Sequence, residues 1–203
     1  MKIKTHLKLA ELSLIKNVPI IPEGFSMFMF NFGLVMVDQS WLVKTHPHYM
    51  QKSLEYINKK IEDLFSIKKF NSYSSMQLGV IVHYLCDFCC HSHTSGSVGN
   101  ISFHLKYERE LQKYLIRNFD VLKNELSFNS DFHLPTNNIT TLKSAVNDRL
   151  VRYFKGDASY FWDIIHCIEI SSLVCSSIFN FNLNFSNKTE YIKRQLQLSN
   201  AKI

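Results

Sequence analysis

Apolar and polar residues alternate at helical intervals along nearly the whole chain, and no stretch shows a convincing strand pattern. Seven helical segments follow from this spacing. The first, around His6 to Ile15, carries Leu7, Leu9, Ala10, Leu12 and Leu14 behind Thr5, a suitable cap, and Pro19 and Pro22 end it. A second runs from about Ser26 to Val37. The third, about Pro47 to Phe65, places Tyr49, Leu54, Ile57, Ile61 and Leu64 at helical spacing. Pro47 suits its opening, where a missing N–H is harmless. The fourth, from near Ser72 to about His91, is apolar nearly all round and should be the central buried helix.

Turn signals at Ser95, Gly96, Ser97, Gly99 and Asn100 separate that helix from a fifth, Ser102 to about Leu126, in which His104, Glu108, Leu111, Leu115, Leu122 and Leu126 recur at helical steps. Ser127 to Asn138 is polar, contains Pro135 and reads as a loop. A sixth helix covers about Thr140 to Phe154 and a seventh about Ala158 to Phe179. The Asn-rich tail ends in a short helical stretch around Tyr191 to Leu198. No internal repeat or linker interrupts this pattern, so residues 1–203 are expected to form a single all-α domain, a helical bundle of about seven helices.

Composition narrows the class. Apolar residues make up 46% and charged residues 20% of the 203, with only 6 Gly and 4 Pro, as in a folded helical protein. The formal net charge of +6 favours anionic partners, among them phosphodiesters, nucleic acid and anionic lipid. The 5 cysteines form no regular framework, which fits a reducing compartment. Cys86 and Cys89 have CxxC spacing, but with Cys90 they lie in an apolar stretch, where thiols act as small hydrophobes. The amino terminus has no apolar run of signal-peptide length. Phe25 to Val37 falls short of the about 20 apolar residues of a membrane span, so no transmembrane segment is expected. A cytoplasmic location is the parsimonious expectation, with non-classical export left open.

The chemistry concentrates between His83 and Glu108. His83 and Asp87 are four apart, as are His104 and Glu108, so each pair projects from one helix face and can bind one ion. His93 follows where the helix should end. Taken singly, each of these residues is ordinarily a core histidine or a cap. Asp87, set among Tyr84, Leu85 and Phe88, changes that reading, because a carboxylate in an apolar helix is unfavourable by several kcal/mol unless paired or metal-bound. Imidazole and carboxylate are zinc's ligand set. His91 is expected to be a helix-end histidine. His166, at metal-pair spacing from Asp163 and Glu169, is expected to pack, as are Trp41, Phe161 and Trp162.

This block resembles the signature of the zinc-dependent phospholipase C family, whose fold is shared by fungal zinc-dependent single-strand nucleases. The match is His83-Tyr84-Leu85-Cys86-Asp87, then His93, then His104-Leu105-Lys106-Tyr107-Glu108. Its amino-terminal parts are His6 in THLKLAEL, Asp38 ending FGLVMVD, and His48 before Tyr49, with His46 as the alternative to His48. The resemblance implies two to three zinc ions. One would be held by Asp38, His48, His83 and Asp87, a second by His93, His104 and Glu108, and a third by His6 with Asp87 as a bridge. Secreted members begin with a processed residue whose amine and carbonyl chelate the third zinc, whereas here Met1 lies five residues before His6. Cys86 stands where the family has Gly, Cys90-His91 where it often has Gln-Pro, and Val37 where Pro usually precedes the early Asp.

The activity implied is zinc-dependent phosphodiester hydrolysis by a metal-activated water, with phospholipase C-type headgroup cleavage foremost and Asp38 as the catalytic group that orients or deprotonates the water. The expected partners are a phospholipid or other phosphodiester substrate and, peripherally, a membrane surface. The alternatives are a single-strand nuclease acting on nucleic acid, and a catalytically silent, metal-stabilised binding module.

Overall fold

A computed structural model describes residues 1–17, 21–67, 69–94, 100–128 and 135–200; the side chains of 15–17, 125–128 and 184–200 are not described. Among the described residues the fold is all helical. The elements are α1 (Ile3–Asn17), α2 (Met27–Gln39), α3 (Leu42–Thr45), α4 (Met50–Phe65), α5 (Ser72–Phe88), a 3-10 turn (His91–His93), α6 (Ile101–Arg117), α7 (Phe119–Phe128), α8 (Ile139–Lys155) and α9 (Tyr160–Asn200).

Four of the helix starts have a clear local cause. Ser26 Oγ and the Oδ1 atoms of Asn71, Asn100 and Asn138 accept backbone N–H groups of the first turns of α2, α5, α6 and α8. Thr5 does not cap α1; it lies buried inside that helix, which begins at Ile3. The expected fifth helix is two. Asn118 donates from both its backbone and its side chain to the Tyr114 carbonyl, ending α6 before α7 begins. The fourth helix stops at Phe88, and the chain turns through Cys89 and extended Cys90 into the 3-10 turn that carries His93. The seventh runs on to Asn200, through the Asn-rich tail in which the sequence pointed only to a short helix around Tyr191 to Leu198. No Gly or Pro follows Gly156, and Asn within a helix is unfavourable by only a fraction of a kcal/mol per residue. The short α3 has no counterpart in the hydrophobic pattern. Pro19, Gly96 and most of the loop before Pro135 lie outside the described residues.

α5 is the central helix, buried from Leu78 to Phe88 along its whole circumference. It packs most extensively on α2 and also contacts α1, α4 and α9. Two glycines set the α2–α5 approach. A Cβ on Gly33 would overlap the Met76 carbonyl oxygen, and one on Gly79 would overlap the Phe30 carbonyl oxygen. The close contact lets His83 Nδ1 reach the Leu34 carbonyl, 2.7 Å away, and lines up the end of α2 with the middle of α5. Tyr160–Leu183 of α9 has the length and hydropathy of a membrane span, yet 78% of its most apolar window is buried inside the fold, as in the core helix of a bundle. The five cysteines are buried and free, which makes the CxxC pair part of the core.

Gly79→Ala is expected to force α2 and α5 apart and to destabilise the fold by about 1–3 kcal/mol, the usual range for overpacking a dense core. Chemical denaturation of the variant checks this. An unchanged midpoint would mean that the two helices separate without loss.

Candidate metal centre

Six elements converge on one end of α5. The start of α1 brings Met1 and His6, the end of α2 brings Asp38, and the segment before α4 brings His48. α5 contributes His83 and Asp87, the 3-10 turn His93, and α6 His104 and Glu108. Four groups have ligand atoms mutually within 4.8 Å: His6, His83 and Asp87; Asp38, His48 and His83; His48, Asp87 and His93; and His93, His104 and Glu108.

Asp87 is fully buried and divides the cluster. Its Oδ1 faces His6 Nε2 at 3.4 Å and His93 Nε2 at 3.6 Å, while its Oδ2 faces His48 Nδ1 at 2.7 Å and His83 Nε2 at 3.1 Å. A second set forms around Glu108 Oε1, with His104 Nε2 at 2.8 Å and His93 Nε2 at 3.2 Å. Asp38 Oδ1 lies 3.5 Å from His83 Nε2 and 3.6 Å from His48 Nδ1. The Asp38 and His104 side chains are the most exposed of the set, at 31% and 29%, so the cluster meets solvent on their side.

Backbone carbonyls orient three of the imidazoles. Nδ1 of His83 lies 2.7 Å from the Leu34 oxygen, Nδ1 of His93 3.2 Å from the His48 oxygen, and Nδ1 of His104 3.2 Å from the Ser92 oxygen. In each case the Nδ1–H is donated to a carbonyl and Nε2 points into the cluster, the orientation typical of a metal-ligating histidine. His46 is placed elsewhere. Its ring stacks on Tyr56 at 3.7 Å and its carbonyl accepts the Tyr84 hydroxyl at 2.6 Å, so His48 and not His46 faces Asp87.

The α-amino group of Met1 also enters the cluster, in the role the resemblance gives to a processed terminal residue, although it lies only five residues before His6. It is fully buried, 2.6 Å from Asp87 Oδ1, 3.1 Å from Glu108 Oε1 and 3.2 Å from His93 Nε2. The pattern of side chains carries no signal for it, because the donor is main chain. The first turn of α1 places it, with the His6 N–H bonded to the Lys2 carbonyl.

Two observations test whether zinc fits these residues. First, Nδ1 and Nε2 of His6, Nε2 of His48, Nε2 of His83 and Asp87 Oδ2 are buried and make no hydrogen bond of good geometry, even though His48 and His83 approach Asp87 Oδ2 to 2.7 and 3.1 Å. Such atoms are rare in a folded interior and call for a ligand. Second, nitrogen and carboxylate donors on a tetrahedral zinc with bonds near 2.0–2.1 Å stand about 3.3 Å apart. The distances of 3.1–3.6 Å around His83, His93 and Asp38 lie close to that edge. The donor set fits.

Without metal the cluster is tightly polarised. Burial alone would raise the Asp87 carboxyl, but His93, the Met1 ammonium, His6 and His83 hold it well below the ordinary range. Burial likewise opposes ionisation of Glu108, and His93, the ammonium and His104 bring it down to about 2. The same carboxylates act in reverse on the bases. Against desolvation, Asp87 and Asp38 raise His83 to about 9, and Asp87 and Glu108 raise the Met1 ammonium to about 12.

Outside the cluster, His91 packs its ring against Phe103 and Tyr107. His166 is buried against Trp162 with its Nδ1 3.7 Å from Glu169, and neither residue belongs to a metal-capable group among the described residues. Trp41 and Phe161, expected in the core, are instead exposed at 69% and 47%, while Trp162 packs partly against it.

An all-helical fold with a buried His, Asp and Glu cluster at one end of its central helix is a scaffold able to hold metal. The family model for zinc-dependent phospholipase C matches residues 5–160, and the chain belongs to that family. No curated protein and no solved structure matches the chain.

His83 and the Met1 amine carry protons at neutral pH in the metal-free protein, since both pKa values lie above 7. Both must be neutral to bind metal. Zinc uptake at pH 7 is therefore expected to release protons, and apparent affinity to rise as pH climbs toward 9. Calorimetric titration in buffers of different ionisation enthalpy measures this, and uptake with no proton release would contradict the assignment.

Proposed function

We propose that the cluster holds two to three zinc ions and hydrolyses phosphodiesters, with phospholipid headgroups as the substrate. The observation that carries the reading is the convergence of buried imidazole nitrogens on Asp87, several of them without a hydrogen bond of good geometry. By the distances above, Asp38, His48, His83 and Asp87 would hold one ion, and His93, His104 and Glu108 another. His6, the Met1 amine and the second oxygen of Asp87 would hold a third. Zinc, when bound, supplies Lewis acidity and lowers the pKa of a coordinated water.

The chain's own residues do the rest. Asp38 is the catalytic candidate, because its carboxylate faces two imidazoles and still reaches solvent. Burial works against its charge, but the His83 contact prevails and lowers its pKa, so it is ionised at neutral pH and can accept the attacking water's proton. Asp87 and Glu108 offset positive charge deep in the site. A phosphodiester approaching from the Asp38–His104 side would place its non-bridging oxygens toward the imidazole-rich floor.

The phospholipid reading rests on exposed apolar residues near the two partly exposed ligands. Trp41 comes three residues after Asp38, with Lys44 Nζ 4.1 Å from its ring centroid in a cation–π contact, and Leu105 adjoins His104. Trp41, Ile101 and Leu105 are 69%, 74% and 51% exposed, which supports peripheral contact with a lipid surface.

The test is hydrolysis by zinc-loaded protein of phosphatidylcholine, other phospholipids and single-stranded DNA, with and without chelator. Chelator-sensitive release of a phosphorylated headgroup is expected, and Asp38→Asn should lower kcat by about 10²–10⁴-fold, the usual contribution of general acid–base catalysis. Release of nucleotides alone would make the protein a nuclease. Zinc-loaded protein inert on the whole panel would make it a metal-stabilised binding module.

A further inference from the structure

Asp163, near the start of α9, lies three residues beyond the stretch matched by the family and has no place in the metal cluster. Its carboxylate is completely buried. Among the described residues no lysine, arginine or histidine side chain forms an ion pair with it. Hydrogen-bond donors surround it instead. Oδ2 accepts the His91 backbone N–H at 3.0 Å and the Tyr107 hydroxyl at 2.9 Å, and Oδ1 accepts the Tyr153 hydroxyl at 2.9 Å. Burial raises its pKa to about 6, against the pull of these donors.

An uncompensated buried carboxylate is an expensive way to fill space, and the choice of donors shows what it does. His91 begins the 3-10 turn that ends at His93, and Tyr107 directly precedes Glu108 on α6. Asp163 therefore ties together, through one oxygen, the two segments whose side chains meet at the His93–Glu108 distance of 3.2 Å. Tyr153 on α8 holds the other oxygen and fixes the carboxylate from the opposite side. Only an acceptor-only group serves here: asparagine would turn an NH2 toward at least one of the donors.

We propose that Asp163 is a positioning residue for the metal site formed by His93, His104 and Glu108, acting through Tyr107 and the His91 amide to hold the turn and α6 in register. The inference rests on the reading of the cluster as a zinc site. Outer partners of this kind ordinarily tune metal affinity by about 10–100-fold.

The experiment is a competitive chelator titration of the zinc-loaded full chain, with Glu108→Ala identifying which zinc step belongs to this site. Asp163→Asn and Tyr107→Phe should weaken that step by about 10–100-fold and leave the remaining steps in place. Val146→Ala, a buried α8 variant that loosens the core, should lower Tm without moving the step. If Asp163→Asn does not fold, Tyr107→Phe carries the test alone. An unmoved step in both variants, or an equal shift of every step in proportion to lost Tm, would overturn the proposal while leaving the zinc reading intact. Wild-type protein that takes up no zinc would overturn both.

Discussion

Asp87 places an ionised carboxylate in the last turn of the central helix, with no exposure to water. Left alone, such a charge would be unfavourable by several kcal/mol. No lysine or arginine side chain forms an ion pair with it among the described residues; the nearby groups are imidazoles and the Met1 amine. Imidazoles that share a carboxylate without good hydrogen-bond geometry are a poor substitute for a salt bridge and a good set of metal ligands. The amino terminus, the end of α2, the segment before α4, the 3-10 turn and α6 all deliver donors to this one side chain or to its neighbour Glu108. Most of what is unusual in the fold serves that convergence.

Backbone features decide where the donors point. The close α2–α5 contact at Gly33 and Gly79 gives the Leu34 carbonyl access to His83, and the same contact sets Asp38 beside its Nε2. The Ser92 and His48 carbonyls do the same for His104 and His93. These are main-chain acceptors, so the orientation of the imidazoles is tied to helix packing and turn geometry rather than to other movable side chains. A metal site built this way is pre-organised, and the catalytic reading of Asp38 depends on that rigidity.

The helical character of the chain was legible because the apolar period of 3.6 residues is a direct consequence of burying one helix face. The pairs His83–Asp87 and His104–Glu108 were legible for the same reason, one turn on one face. Other features were out of reach for identifiable causes. His46 and His48 are two residues apart in a segment with no periodicity, and only the fold shows which one turns inward. The Met1 amine has no side-chain signature at all. The break at Asn118 and the continuation of α9 past Asn180 turn on single hydrogen bonds and small propensity differences, which tertiary contacts override. Asp163 was visible only as a residue at metal-pair spacing from His166, since its partners on α6, α8 and the turn are distant in sequence.

The central claim is that the buried donors around Asp87 and Glu108 exist to hold metal. Anomalous diffraction at the zinc edge, from crystals grown with zinc, tests it most directly. Two or three peaks inside the ring of His6, Asp38, His48, His83, Asp87, His93, His104 and Glu108 are predicted. Zinc found only at surface histidines, with the ring still closed on itself, would contradict the account.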